Sequence, residues 1–162
     1  MSGNKPTASC TGSAAGGSLK VFAPGPFHFT NGLALDAAER HIYVVESNLD
    51  RVVRVEIRAD GTAGIPEVYA EGLVRVPDGL AFDATGHLYV TTYASNCIYR
   101  VSPDRDVELL CQDVENLLLC QPTNCAFGGV NFDQLYVANL GRNHLSVLDL
   151  KTKGQRLLCH RA

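Results

Sequence analysis

No run of 18 apolar residues occurs anywhere in the 162-residue chain, so the sequence holds no candidate for a membrane-spanning helix. The N-terminal "MSGNKPTASCTGSAAGGS" lacks the apolar core of a secretory signal, and the chain reads as a cytoplasmic protein. Excess charge is also missing. Fourteen basic residues against 17 acidic ones give a formal charge of −3, which excludes a polybasic surface for nucleic acid or membrane. The six cysteines (Cys10, Cys97, Cys111, Cys120, Cys125, Cys159) include no C-x-x-C. A zinc ribbon or a small disulfide framework is therefore not expected, and free, buried thiols are. Nor is there a G-x-S-x-G nucleophile motif, a phosphate loop or a convincing Cys/His pair.

What the chain does contain is repetition. "FTNGLALDAAERHIYVVES" from Phe29, "VPDGLAFDATGHLYVTTY" from Val76 and "QPTNCAFGGVNFDQLYVANL" from Gln121 superpose with slips of one or two residues in the turn. Asn31, Asp78 and Thr123 occupy one shared position, 47 and 45 residues apart. Each copy continues through a third segment ("RVVRVEI", "CIYRVSP", "HLSVLDL"), a polar turn and a fourth segment ("PEVYAEG", "VELLCQD", "RLLCHRA"). Valine, isoleucine and tyrosine dominate these short segments, and Asp, Gly and Asn punctuate them, which is strand-and-turn chemistry. A repeat of this length made of four strands predicts an all-β fold, a β-propeller in which each repeat is one blade.

The first strand of each blade lines the central channel of a propeller. "NGLAL", "DGLAF" and "TNCAF" are accordingly expected innermost, with small residues suiting the crowded centre. Asp78 lies in a Pro-Asp-Gly triplet, which taken alone is an ordinary turn signal. The repeat changes its meaning, because it places Asn31, Asp78 and Thr123 on one rim, aimed at a common axis.

Three blades are fewer than the four or more that close a propeller. The repeats cover about 29–73, 76–119 and 121–162. Residues 1–18, rich in Gly, Ser and Ala, read as a disordered leader, and 19–162 as a partial propeller. "SLKVFAPG", before the first repeat, resembles a fourth strand, which predicts one leftover strand beside the three four-stranded blades.

These motifs closely resemble consecutive late blades of the regucalcin and gluconolactonase family, six-bladed propellers that hydrolyse sugar lactones and related esters. The resemblance spans residues 19–162 and implies that the chain corresponds to about the C-terminal half of such an enzyme, half of a six-bladed ring. It further implies one divalent cation at the channel mouth, calcium in the first place and zinc or magnesium as alternatives. Two ligand positions of the family carry over: the asparagine of its P-N-G-L-A motif falls on Asn31, with Thr30 in place of the proline, and the aspartate of its P-D-G motif falls on Asp78. The resemblance gives Asp78 a second role as the base that takes a proton from the attacking water. The family's early glutamate and its other asparagine have no equivalent here.

Four further residues are candidates for contact with a small lactone or ester. Thr123 either meets substrate or caps its own backbone. Asn124 replaces the glycine of the other repeats and either tolerates an unusual backbone angle or faces the channel. His28, three residues before Asn31, suits a pocket mouth. Arg142 in "NLGRNH" is either an anion-binding group or an exposed hairpin arginine. His41 and His87 share a turn position away from the rim, His144 reads as structural, and His160 falls in a terminal strand. Glu46 stands where Tyr93 and Leu140 do in the other repeats and reads as a solvated turn carboxylate, with a channel-facing position as the alternative.

Two functional expectations follow. One is a metal-dependent lactone hydrolase represented by its C-terminal half; the other is a non-catalytic propeller fragment serving as an interaction module or an inactive remnant. Open blade edges and faces favour association of copies. A two-fold dimer would bring together six blades, although thirteen strands per chain exceed what six four-stranded blades require.

Overall fold

The computed structural model describes residues 20–156. Eleven strands are formed in chain order: β1 Thr30–Leu35, β2 His41–Glu46, β3 Arg51–Glu56, β4 Glu67–Ala70, β5 Pro77–Phe82, β6 Leu88–Thr92, β7 Cys97–Val101, β8 Val107–Gln112, β9 Pro122–Gly128, β10 Gln134–Asn139 and β11 Leu145–Asp149. They make three antiparallel sheets in sequential order, β1 to β4, β5 to β8 and β9 to β11. These are the expected blades. Among the described residues, the only helix is a single 3-10 turn at Ser47–Leu49, and none is long and apolar enough to cross a membrane.

Neighbouring blades pack face to face, as the alternation of side chains along each strand requires. Tyr43, Val45 and Val52 of the first blade meet Leu80, Leu88 and Val90 of the second in one core. Tyr89 and Ile98 of the second meet Cys125, Leu135 and Val137 of the third in another. Tyr43 also stands edge-on to Tyr69 and Phe82, with ring centroids 4.7 and 4.8 Å apart, a favoured aromatic geometry.

One expectation about the ends is corrected. Residues 20–25, the described part of "SLKVFAPG", form no strand. The fourth segment of the last repeat lies almost wholly outside the described residues, and the chain leading to it turns inward. Lys153 O accepts from Ala84 N at 2.7 Å, Gln155 N donates to Phe82 O at 3.0 Å, and Gln155 Nε2 donates to Leu35 O at 3.0 Å. Residues 153–155 thus run across the far ends of β1 and β5. The polar "KTKGQ" resembles a hairpin turn in sequence, yet its backbone groups pair with Phe82, Ala84 and Phe132.

The four cysteines among the described residues are free; Cys97 and Cys125 are buried, and Cys111 and Cys120 half-buried. Burial pushes the Cys125 thiol up to about 12 and the Cys111 thiol to about 11. Neither is a nucleophile at neutral pH. Cys10 and Cys159 lie outside the described residues.

Candidate functional site

β1, β5 and β9 lie side by side as the innermost strands, and glycine is what lets them converge. A Cβ on Gly32 would overlap Asp78 O and come within 3.0 Å of Gly79 Cα, and one on Gly79 would lie 2.5 Å from Asn124 Cα and 2.9 Å from Thr123 O. Only glycine allows backbones so close. The three rim positions therefore share one small region, as the repeat predicted.

The Pro-Asp-Gly triplet is not a turn. It is the start of β5, just as Thr30-Asn31-Gly32 starts β1 and Pro122-Thr123-Asn124 starts β9. The sharp reversal comes one residue earlier. Phe29, Val76 and Gln121, equivalent in the three blades, all adopt left-handed backbone, with φ of 57°, 64° and 55°. Glycine and asparagine tolerate that region, and a β-branched valine is strained there. Repetition of the strain at three equivalent places, each two residues before a rim position, marks a constrained edge.

Asp78 is half-buried, and burial raises its carboxyl above the usual range. Its carboxylate accepts no hydrogen bond from the described residues. Asn31 donates through Nδ2 to Ser47 Oγ at 3.4 Å, which leaves its amide oxygen free. Ser47 Oγ in turn donates to Pro77 O at 2.7 Å, tying the first blade to the residue before Asp78. Below the rim, Gly79 N donates to the buried Thr91 Oγ1 at 2.9 Å.

Thr123 lies within β9, half-buried, and makes no cap. Asn124 has an ordinary negative φ, so the reading as an unusual backbone angle falls; its Oδ1 accepts from Cys125 N at 2.9 Å. It borders an apolar cleft of about 410 Å³ along the inner strands, lined also by Leu33, Leu80, Phe82 and Phe127. His28 is exposed beside the rim, and its N–H donates to Glu46 Oε1 at 2.7 Å. Arg142 is exposed on the hairpin between β10 and β11, at the same end of the blades but two strands outward. His41 and His87 sit at the opposite end, beside Asp36 and Asp83 at 2.8 and 3.6 Å. His144 Nε2 lies 3.1 Å from Leu118 O, a structural contact.

Glu46 is the clearest correction. It is fully buried, and accepts from Arg51 Nε at 2.6 Å as well as from His28 N. Strand pairing sets Glu46 opposite Thr30, Thr92 opposite Pro77 and Asn139 opposite Pro122. Its true equivalents are therefore Thr92 and Asn139, one residue from those that sequence comparison suggested. All three are polar, and Asn139 likewise accepts from a loop amide, Cys120 N at 2.9 Å. Sequence reasoning missed this clip, along with Ser47 and Thr91. The aligned polar positions after "IYV", "LYV" and "LYV" were the signal.

Among the described residues, no group of three or more His, Cys, Asp or Glu side chains could hold a metal ion. The rim offers instead one unpaired carboxylate and one free amide oxygen, with the Thr123 hydroxyl on the neighbouring strand. These are hard oxygen donors, the type that calcium and magnesium take, but too few to complete a shell.

Comparison with known proteins agrees with this architecture. The family model described as SMP-30/Gluconolactonase/LRE-like region matches residues 4–140. A 6-deoxy-6-sulfogluconolactonase of Pseudomonas putida is 29% identical over 117 residues, 70% of this chain and 39% of that protein. Among solved structures, a calcium-binding protein, regucalcin from Agrobacterium tumefaciens, is similar with a TM-score of 0.63 at 22% identity, over 79% of this chain and 50% of that one. A chain of a nidogen/laminin complex is similar with a TM-score of 0.67 at 26% identity, over 83% and 49%. The chain spans half the length, or less, of these proteins. Blades, repeat order and family model converge: this is a β-propeller chain, and it belongs to the SMP-30/gluconolactonase/LRE-like family.

Proposed function

We propose that the chain carries part of the site of a divalent-cation-dependent hydrolase of sugar lactones or related esters. The observation that carries this reading is Asp78, a half-buried carboxylate without a hydrogen-bond donor, beside a strand that presents the free amide oxygen of Asn31. The two oxygens would be protein ligands of a calcium ion, or of magnesium or zinc, with water and other donors filling the remaining positions. Bound there, such an ion supplies Lewis-acid polarisation of a carbonyl.

Asp78 would take a proton from the water that attacks the lactone carbonyl. The water oxygen forms the new bond to the carbonyl carbon, the ring C–O bond breaks, and the proton ends on the released hydroxyl. A carboxyl held above its usual range by burial is the better base for this step. Thr123 and Asn124 border the substrate on the third strand, and His28 and Arg142 flank its polar end further out. A small-molecule substrate and a cytoplasmic location belong to the same reading.

Lactone opening releases acid, so titration at constant pH with gluconolactone and calcium tests it. Hydrolysis above the spontaneous rate, abolished by a chelator and reduced at least about 100-fold in Asp78→Asn, is expected. A rate no higher than that of lactone alone would overturn it. A second reading, a non-catalytic interaction module, draws support from the likeness to a chain of the nidogen/laminin complex; on that reading Asp78→Asn changes nothing.

A further inference from the structure

Equivalent positions in the three blades separate what the fold needs from what one junction adds. Strand pairing makes Ser47, Tyr93 and Leu140 equivalent, each one residue beyond Glu46, Thr92 and Asn139. All three use the backbone alike: Ser47 N donates to Phe29 O at 3.1 Å, Tyr93 N to Val76 O at 2.8 Å and Leu140 N to Gln121 O at 3.0 Å. A second clip is also repeated. The left-handed Asp50 and Asn96, which precede β3 and β7, accept through their side chains from Val76 N at 2.9 Å and from Gln121 N at 2.6 Å. These bonds hold the approaches to β5 and β9 in the same way, so they belong to the architecture. The Ser47 hydroxyl does not recur. It belongs to a residue only 3% exposed, stands where the other blades carry tyrosine and leucine, and bonds to both of the strands that bear Asn31 and Asp78.

A serine hydroxyl has one proton, and the bond to Pro77 O at 2.7 Å uses it. Toward Asn31 it can then only accept. The Asn31 amide accordingly turns its NH2 group to Ser47 Oγ, at a long 3.4 Å, because the flipped amide would set oxygen against oxygen. We propose that Ser47 is a positioning residue of the rim: by committing its proton to Pro77, it selects the orientation of Asn31 in which Oδ1 points away from Ser47 and is left for a ligand shared with Asp78. The same hydroxyl holds the carbonyl of the residue directly before Asp78, so one side chain ties both rim positions. That Ser47 serves a cation rests on the function proposed above; that it orients Asn31 does not.

Two measurements on the full chain test this. In nuclear magnetic resonance spectra of the calcium-free protein, the Asn31 side-chain NH2 protons should show a through-space contact with the Ser47 β protons; its absence would overturn the proposal, with or without a cation site. Calorimetry with calcium alone reads the consequence. Ser47→Ala should weaken calcium binding about 5–10-fold, the worth of one hydrogen bond. Thr92→Ala removes a buried hydroxyl bonded to Ser95 Oγ and Cys97 O within the second blade, and should leave calcium binding unchanged. Asn31→Asp separates positioning from general support, since a carboxylate offers an oxygen whichever way it turns. In that background Ser47→Ala should weaken binding no further. Full affinity in Ser47→Ala alone, or an equal loss in both backgrounds, would overturn the proposal. Circular dichroism confirms that each variant is folded, and Ser47→Cys, whose thiol is a weak donor and acceptor, replaces Ser47→Ala should the latter unfold. No calcium heat from wild type would overturn the cation site, and the Asn31 contact then decides on Ser47 by itself.

Discussion

Alanine at Gly79 tests the convergence of the inner strands, on which every statement about the rim depends. The added Cβ would sit 2.5 Å from Asn124 Cα, 2.7 Å from Asn124 Oδ1 and 2.9 Å from Thr123 O. Ordinary contact begins near 3.4 Å, so β9 must retreat from β5 by about 1 Å, and two of the three atoms are backbone that cannot rotate aside. Overpacking of this kind costs about 1–3 kcal/mol. The backbone at Gly79 is not left-handed, so alanine recovers roughly 0.5–1 kcal/mol by restricting the unfolded chain, leaving a net loss of about 1–2 kcal/mol. At roughly 2–4 °C per kcal/mol for a domain of this size, the midpoint falls by about 2–8 °C. Thermal unfolding measures it, with Gly128→Ala as the control, since a Cβ there meets only the Tyr136 ring edge at 3.2 Å. A Gly79→Ala protein as stable as wild type, or no less stable than the control, would refute the reasoning.

Three further outcomes follow from the site. The Asp78 carboxyl is raised by burial, so the folded state holds its proton more tightly than the unfolded chain does, and the group loses stability as pH rises through its range. Asp78→Asn should therefore raise the unfolding midpoint at pH 7, with the gain vanishing in acid below the ordinary carboxylate range; a variant less stable than wild type at neutral pH contradicts this. Val76→Asn relieves a strained valine at φ 64° and should stabilise by about 1 kcal/mol in denaturant titration; a loss would mean that the valine side chain matters more than its backbone. Glu46→Ala strands a half-buried Arg51 and frees His28 N, at a cost of about 2–3 kcal/mol; an unchanged midpoint would show the buried pair to be energetically idle.

The blade architecture was legible because the repeat announces itself at three levels together: the small residues of "NGLAL" and "DGLAF", the "LYV" segments, and the Asp-containing turns. The shared position of Asn31, Asp78 and Thr123 came from the same repetition. What was not legible came from register and from long-range partners. Glu46 was matched to Tyr93 and Leu140 because the alignment slipped by one residue, and a one-residue slip turns a buried polar clip into an apparent break in an apolar pattern. Pro-Asp-Gly carries the composition of a turn, but the turn is made by Val76, a residue that local preference would never choose for it. The inward path of Lys153, Gly154 and Gln155 depends on carbonyls of Leu35 and Phe82, too far away in sequence to be seen there.

The rim as a cation site is the centre of the account, and calcium titration by calorimetry on protein of known mass tests it most directly. Wild type should bind with a saturable heat, Asp78→Asn should give none, and a cation at 100 times its dissociation constant should raise wild-type stability by about 2.7 kcal/mol without helping the variant. Equal heats from both proteins, or none from wild type, would contradict it.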